Sequence, residues 1–324
     1  MRTKDQHLDE LYGLPVLTFP GPGAAGELPA ADAVAWRIGR EMWTSEELWR
    51  EDFARFCAEV DLGRVRALVV GAWEDPEDTD PSEAIDALVA VRDRLPALRA
   101  LFLGDITDKE CHLARISQTD VTPLPAAFPA LEEFGVRAGW GMSLGRELRL
   151  DFPALRHAAL RRLTVQSAGM PAAAVRGIAA SGLPALEHLE LWLGDAEFGA
   201  DHEVADLAPI LSGARLPRLR HLALRNSRMQ DEVAAAVASA PLVPRLDVLD
   251  LSWGALTDDG AAALLDGQPL THLKKLDLHF NFLGEAMRRR VHQALEPAGV
   301  EVDTDPGAAD GTLDPEICAG PVSY

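Results

Sequence analysis

Basic residues are scarce in this chain of 324 residues. It has 31 lysines and arginines against 51 aspartates and glutamates, a formal net charge of −20. Nucleic-acid binding needs a basic stripe that displaces phosphate counterions, and the sequence contains none. The longest local charge run, Glu74 to Asp80, has five acids and no base. We therefore expect no binding to nucleic acid.

Cysteines and long apolar runs are also few. The three cysteines, Cys57, Cys111 and Cys318, lie far apart and form no CxxC pair, which argues against a disulfide framework or a zinc site. No run of about 18 apolar residues could span a bilayer, and the N-terminal MRTKDQHLDELYG lacks the apolar core of a signal peptide. These absences predict a soluble, cytoplasmic protein that does not enter membranes.

A leucine motif, LxxLxL, recurs along the chain. Its copies start at residues 65, 98, 131, 160, 186, 219, 246 and 273, at intervals of 26 to 33 residues. Alternate side chains of a strand point to opposite faces, so the side chains at positions four and six of each motif point into the same core. The leucine at position one packs into this core from the turn that precedes the strand. Each copy therefore predicts one buried strand.

The segments between the motifs predict crossover helices, because parallel strands cannot be joined by a tight hairpin. Helical segments are expected at residues 171–180, 203–212, 230–240, 257–265 and 284–295. Thr257 suits an N-cap and Gly267 a helix end. The chain is thus predicted to be an α/β protein. A doubly wound α/β domain also alternates strands and helices, but it would not explain leucines at fixed offsets in eight successive strands.

The segment LKKLDLHFNFL (273–283) resembles the repeat consensus LxxLxLxxNxL of leucine-rich repeat proteins of the ribonuclease-inhibitor-like type. The resemblance implies a horseshoe-shaped solenoid of about eight repeats, with parallel strands on the concave face and helices on the convex face. In that family the asparagine, here Asn281, bonds backbone groups of adjacent turns. The other repeats depart from the consensus at this position, which holds Gly254, Ser227, Gly194, Ala168 and Gly139.

The whole chain also resembles an uncharacterised bacterial family of leucine-rich repeat proteins of unknown function. The resemblance is carried by LYGLPVLTFPGP, RALFLGDIT, VTPLPAAFPALEEFGVR and EPAGVEVD. Members of that family are often encoded beside radical-SAM and ATP-grasp-like proteins. This implies an accessory role in a biosynthetic or modification pathway.

Three regions are predicted. Residues 1–62 form an N-terminal cap, 63–302 the solenoid, and 303–324 an acidic tail that we expect to be disordered. The cap should contain a strand at Ala33–Ile38 and an amphipathic helix at Ser45–Val60, with Ser45 as its N-cap. The aromatic residues of that helix indicate a packed cap core, or alternatively a separate partner-binding helix.

Function is predicted to reside where positions three, five and seven of each repeat point away from the leucine core. This concave face carries tryptophan and arginine, which are enriched at interface hot spots, and its eight strands would span roughly 34 Å. We predict a non-catalytic scaffold, monomeric and without cofactor, that binds a protein partner. The partner-binding residues are predicted to be Arg137, Arg162, Gln166, His188, Glu190, Trp192, His221, Arg225, Asp250, Trp253, Lys275, Asp277 and His279.

The charges of this face are balanced in the sequence. Four acids (Glu133, Glu190, Asp250, Asp277) stand against four bases (Arg137, Arg162, Arg225, Lys275), which favours a specific protein partner over a simple cationic one. The plainer alternative is that these side chains only form cross-strand pairs, such as Glu190 with His221 and Asp250 with Lys275.

An enzyme or metal-binding protein is the alternative function. His188 and His221 fall on adjacent predicted strands with Glu190 and Asp250 nearby, and two imidazoles with carboxylates can bind a metal or transfer protons. Chance adjacency on a sheet is common, so we expect no metal and no catalytic residue. The glycine-rich GPGAAG (21–26) lacks the lysine and spacing of a phosphate loop.

Overall fold

The computed structural model describes residues 6–23, 26–39, 48–143 and 146–307, with side chains outside 141–147. The chain divides into two compact units, Met1–Val165 (unit 1) and Gln166–Tyr324 (unit 2). Across the described ranges, no helix has the length and apolar character needed to cross a bilayer.

The strands form a long, open and mostly parallel sheet of twelve strands within the described residues, and a separate antiparallel hairpin. The twelve strands are β1 (Glu10–Leu11), β2 (Leu14–Thr18), β3 (Ala35–Ile38), β4 (Ala67–Val70), β5 (Ala100–Leu103), β6 (Glu133–Ala138), β9 (Arg162–Ser167), β10 (His188–Gly194), β11 (His221–Ser227), β12 (Val248–Asp250), β13 (Lys275–Asp277) and β14 (Glu301–Asp303), in that order. The hairpin pairs β7 (Trp140–Ser143) with β8 (Arg146–Arg149).

Helices occupy most of the connections. They are α1 (Trp49–Glu59), α2 (Ser82–Ala90), α3 (Pro123–Ala127), α4 (Ala172–Ala180), α5 (Ala208–Leu211), α6 (Gln230–Ala238), α7 (Asp258–Asp266) and α8 (Glu285–Leu295). The predicted N-cap of α7 is present, since the Thr257 side chain accepts a hydrogen bond from the Asp259 N–H. The predicted helix at 203–212 is instead a 3-10 turn, Val204–Leu207, followed by the short α5. Pro209 near the start of α5 lacks the N–H that would let a helix run through.

Every predicted repeat strand is present, and each begins at position three of its motif. Thus β10 begins at His188 and β13 at Lys275. The motif leucines are buried as expected; Leu186, Leu189 and Leu191 are each 0% exposed. The pattern of leucines therefore predicts where each strand lies in the sequence and which of its side chains point into the core.

The N-terminal region contributes more strand than predicted. Besides β3, the structure has β2, which pairs in parallel with β3, and β1, which turns back on β2. The turn residues Tyr12 and Gly13 both have positive φ, as a two-residue type I′ hairpin requires.

The aromatic residues after this hairpin form a packed core. Trp36, Phe19 and Phe56 meet with ring centroids 5.4 to 6.1 Å apart, and Trp49 stacks on Phe53 at 5.0 Å. The predicted helix over Ser45–Val60 is α1, and its expected N-cap, Ser45, lies outside the described residues. This packing agrees with a cap core and leaves no apolar face of α1 for a separate partner.

The N-terminal hairpin covers the face of unit 1 that the sequence predicts to be open. Leu8 and Leu11 pack with Tyr12, Leu14 and Val16 against a floor of apolar side chains from β3, β4 and β5, namely Ala35, Ala67, Val69, Ala100 and Phe102. The expectation that Ala100 and Phe102 line an accessible surface is therefore wrong. The small side chains of this floor let a second layer lie on it.

A cluster of polar side chains around the buried Asp105 holds the segment before this hairpin against unit 1. The Leu8 N–H donates to Asp105 Oδ1 at 3.1 Å, and Arg37 Nε donates to Asp105 Oδ2 at 3.0 Å. His7 Nδ1 lies 3.2 Å from Asp105 Oδ2. Burial acts to raise the pKa of Asp105, but its hydrogen bond with His7 and the charges of Arg37 and Arg137 lower that pKa overall.

The segment Val300-Glu301-Val302 is predicted to be a final strand, and the structure has β14 at Glu301–Asp303. The expected disordered tail, residues 303–324, falls from residue 308 onward outside the described residues.

Candidate functional site

The parallel register of unit 2 brings most of the predicted site residues onto one face. We call it the variable face and define it by positions three, five and seven of the repeats that contain β10, β11, β12 and β13. His188 pairs with His221 and Trp192 with Arg225 between β10 and β11. The next strands align Ala223, Asp250, Asp277 and Asp303 across β11 to β14. Positions three and five of successive repeats therefore form rows, and position seven aligns between β10 and β11, as the motif predicts.

Arg225 lies at the centre of the variable face. Its guanidinium is 3.5 Å from Glu190 Oε1 and 3.4 Å from Asp250 Oδ2. It also lies over the rings of Trp192 and Trp253, 5.5 and 6.0 Å from their centroids. Two carboxylates and two indoles hold this arginine in one orientation, in the geometry of cation–π contacts.

Trp253 and Phe280 reach the same face through an unusual backbone. Both occupy position eight of their repeats, the residue after the last predicted face position, and both have positive φ, 59° and 53°. Asn226 is at the same position with φ 51°. A left-handed conformation is uncommon for a bulky residue. Here it turns the two aromatic side chains onto the face, where their ring centroids are 5.0 Å apart.

A hydrogen-bonded chain fixes the Trp253 ring. The Trp253 Nε1–H donates to His279 Nε2, and His279 Nδ1 contacts Asp277 Oδ1. An indole nitrogen can only donate, so Nε2 of the imidazole accepts and Nδ1 carries the proton toward Asp277. Burial acts to raise the pKa of Asp277, but the hydrogen bond from His279 and the charge of Lys275 lower it overall.

His188 and His221 stack with ring centroids 3.8 Å apart. His188 Nε2 lies 3.7 Å from Glu190 Oε2, and the indole N–H of Trp192 donates to Glu190 Oε1 at 2.8 Å. Burial acts to raise the pKa of Glu190, yet the contacts with His188, Arg225 and Trp192 lower it well below its usual range. Glu190 is therefore a half-buried, charged carboxylate that contacts His188, Trp192 and Arg225.

Asp250 differs from Glu190. Burial, reinforced by the charge of Asp277, raises the pKa of Asp250 despite the nearby Arg225. It pairs with Arg225 and accepts the Ser252 N–H at 2.9 Å. The expected pair of Asp250 with Lys275 does not form; Lys275 Nζ instead lies 3.3 Å from Asp277 and 3.2 Å from Glu301.

The four residues of the predicted metal or catalytic cluster do not all meet. His188 contacts both His221 and Glu190, whereas Asp250 pairs with Arg225. Among the described residues, three potential metal ligands converge only at Asp277, His279 and Asp303, whose ligand atoms lie within 4.8 Å of one another. To ligate a metal through Nδ1, His279 would need its proton on Nε2, which faces the Trp253 N–H. Two donors would then oppose each other, so the arrangement does not suit a metal.

The remaining predicted residues lie apart from this group or beneath the surface. Arg137 in unit 1 is 4% exposed and donates to the Ile106 carbonyl. Gln166 is 2% exposed, while Arg162 is exposed, with Nε 3.5 Å from Glu133. Trp192 and Trp253 are themselves buried. The partly exposed side chains of the face in unit 2 include Arg225, Phe280 and Lys275, together with His188, Glu190 and His221.

The sequence predicts the strand β14 but not the contribution of its acids to the variable face. Glu301 and Asp303 align with Lys275 and Asp277 and belong to the variable face. The segment Val300-Glu301-Val302 does not carry the leucine motif, so it was not counted as a repeat. Its alternation of apolar and acidic residues is the signal that could have placed it.

The chain matches no protein-family model and no curated protein. Among solved structures it is similar to a Bacteroides fragilis protein determined by the Northeast Structural Genomics Consortium, at 23% sequence identity and a TM-score of 0.77. The match covers 89% of this chain and 77% of that chain. At this identity the likeness concerns the fold alone.

Proposed function

We propose that this chain is a leucine-rich repeat protein of about eight repeats, in which the strands line the concave face of a horseshoe. The proposal is supported by strands that all begin at position three of their motifs and by Asn281. The Asn281 side chain accepts from the Gly254 and Leu256 N–H groups and donates to the Leu251 and Leu278 carbonyls. It thereby joins two successive turns, the role implied by the family resemblance.

The function that the geometry supports best is non-catalytic binding of a protein partner through the variable face of unit 2. The observation that carries it is Arg225, held between Trp192 and Trp253 by Glu190 and Asp250. An arginine fixed in this way loses little side-chain entropy when a partner docks, and arginine and tryptophan are the residues richest in binding energy at interfaces. The left-handed Phe280 extends the same surface and packs on the buried, left-handed Trp253, at a cost in backbone strain.

The test compares a face variant with a matched control. Arg225→Ala with Phe280→Ala removes an arginine and an aromatic ring from the reachable face. Arg218→Ala with Leu17→Ala removes an arginine and the one exposed large apolar side chain found among the described residues, neither of which belongs to the rows that form the face. Affinity purification with quantitative mass spectrometry should show a partner that the control retains and the face variant loses, with both variants folded by circular dichroism. Equal recovery by the two variants would contradict the proposal.

A further inference from the structure

The segment that precedes the turn of the N-terminal hairpin lies on the sheet of unit 1. We call residues 7–12 the N-terminal strap. Its Leu8 and Leu11 pack on the apolar floor formed by Ala35, Ala67, Val69, Ala100 and Phe102. Four of these five floor residues stand at positions three and five of the repeats that start at residues 65 and 98. The strap therefore covers, in unit 1, the repeat positions that form the variable face in unit 2.

The turn end of the strap is held by contacts that do not depend on pH near neutrality. Strand β1 pairs with β2 in an antiparallel ladder, and the Val16 N–H donates to the Asp9 carbonyl at 2.8 Å. The Arg66 guanidinium lies 5.2 Å from the centroid of the Tyr12 ring. Peptide groups, arginine and tyrosine do not change charge between about pH 5 and 8, so this end stays in place over that range.

The first end of the strap is held by charged side chains. The Leu8 N–H donates to Asp105 Oδ1 at 3.1 Å. Among the described residues, three charged groups lie against the His7 ring. Its Nδ1 is 3.2 Å from Asp105 Oδ2, and its Nε2 is 3.5 Å from Glu110 Oε2 and 3.4 Å from Arg37 Nη2. Each ring nitrogen of His7 thus faces a carboxylate oxygen.

The number of protons on His7 decides how many of these oxygens it can bind. A neutral imidazole has one N–H group and can donate to one carboxylate, whereas the imidazolium has two and can donate to both. The positive ring is attracted by two carboxylates and repelled by Arg37, whose Nε is directed at Asp105 at 3.0 Å. Arg137 of β6 adds positive charge near Asp105 while it donates to the Ile106 carbonyl. The two carboxylates that face the ring directly therefore hold the strap more tightly when His7 is protonated.

From this geometry we infer that the N-terminal strap is a pH-sensitive latch on the sheet of unit 1. Protonated His7 holds the first end of the strap on Asp105 and Glu110. Loss of the proton weakens that hold, so the strap opens from its first end and uncovers the floor beneath Leu8. This latch lies in unit 1 and is independent of the proposed function.

The side chains around His7 suit such a latch. Histidine ordinarily changes charge between pH 5 and 8, and the His7 side chain is 37% exposed, so it exchanges protons with solvent. Burial acts to raise the pKa of Asp105, yet its hydrogen bond with His7 and the charges of Arg37 and Arg137 lower that pKa overall. Asp105 therefore stays charged while a histidine titrates.

The change on deprotonation is graded. Neutral His7 can still donate from Nδ1 to Asp105 while its Nε2 accepts from Arg37 Nη2. The first end of the strap is then loosened but not detached. Ion pairs of partly exposed groups are weak, so we expect the opening equilibrium to change by about three- to fivefold.

The experiment measures hydrogen–deuterium exchange of single amides by mass spectrometry at pH 6 and pH 8, with each rate corrected for the intrinsic pH dependence of exchange. The Leu8 amide reports the first end of the strap, and the Val16 amide reports the turn end. His7→Gln keeps a donor for Asp105 but cannot gain a charge, and Glu110→Gln removes one of the two carboxylates. The matched control, His112→Gln, removes a second histidine of unit 1 from the loop that carries Glu110.

In the wild type and the control, protection of the Leu8 amide should be about three- to fivefold greater at pH 6 than at pH 8, with the Val16 amide unchanged. The difference should vanish in His7→Gln and shrink in Glu110→Gln. Equal protection of the Leu8 amide at both pH values in the wild type would refute the latch. A pH dependence that persists in His7→Gln, or disappears in His112→Gln, would do the same. The wild-type comparison needs no substitution, so the latch can be refuted even where a variant does not fold.

Discussion

Single polar residues with many partners stabilise the turns of unit 2. Asn281 makes four hydrogen bonds to backbone groups of two successive turns while only 1% exposed. Two repeats earlier the equivalent position holds Ser227, and there Gln230, which is 0% exposed, donates to the Leu224 carbonyl. Amide side chains at different positions of the repeat therefore bond backbone groups in these two turns.

Asn281→Ala is expected to lower the free energy of unfolding by about 2–4 kcal/mol, because it leaves several buried backbone groups without partners. Urea denaturation followed by circular dichroism measures the change. Asn226→Ala is a useful comparison, since the Asn226 side chain donates to one backbone group, the Ser167 carbonyl. A loss at Asn281 no larger than that at Asn226 would show that the turn network contributes little.

The two carboxylates beside Arg225 should respond differently to neutralisation. Glu190 has a lowered pKa and Asp250 a raised one, so the fold favours the charged form of the first and the neutral form of the second. At neutral pH, Glu190→Gln should cost on the order of 1–3 kcal/mol, because it removes the charge from a half-buried carboxylate that contacts Arg225 and Trp192. Asp250→Asn should cost clearly less. Urea denaturation of both variants at pH 7 measures their free energies of unfolding. A larger loss of stability for Asp250→Asn than for Glu190→Gln would contradict the prediction.

The sequence predicted individual residues well where a motif defines them. Asn281 joins turns and Thr257 caps α7 as expected. Residues outside the motif were harder to place. Nothing in the local pattern shows that position eight adopts a left-handed conformation at Trp253 and Phe280, because positive φ is usually signalled by glycine or asparagine.

At the level of elements, leucine periodicity predicts all eight repeat strands and most helices. It does not predict what covers the face of a strand, because that depends on contacts distant in sequence. The N-terminal hairpin packs over β3, β4 and β5, and the bond from Leu8 to Asp105 spans 97 residues. The apolar Ala67, Val69 and Ala100 at nominally exposed positions were the available signal.

The packing of Phe102 on Gly135 gives a prediction at this scale. A methyl group added at Gly135 would meet the Phe102 ring at 2.2 Å, so Gly135→Ala should destabilise the chain by about 1–3 kcal/mol through overpacking. The double variant Gly135→Ala with Phe102→Leu should cost less than the sum of the two single changes. Thermal unfolding of the three variants tests this coupling, and additive losses would show that ring and glycine do not constrain each other.

Across the whole molecule, the net charge of −20 and the buried carboxylates act on stability in opposite directions as pH falls. Partial neutralisation of the surface relieves self-repulsion. Asp105, Glu190 and Asp277 have lowered pKa values in the folded chain, so their contribution is complete above the unfolded carboxyl values and is lost as pH falls through the folded ones. Asp250, with its raised pKa, has the opposite sign and favours folding as it becomes protonated.

The free energy of unfolding should therefore change little between pH 7 and about 5 and fall steeply below about pH 4, where unfolded carboxyl groups take up protons. Urea denaturation at pH 7, 5, 4 and 3 measures the profile. The Glu190→Gln variant lacks one of these three carboxyl groups with a lowered pKa. Its free energy of unfolding should therefore be lower than that of the wild type at pH 7 and should decrease less on acidification. Parallel curves for the variant and the wild type would show that the charge of Glu190 is not linked to folding. A stability that rises between pH 5 and 3 would mean that relief of surface repulsion outweighs the contribution of Asp105, Glu190 and Asp277.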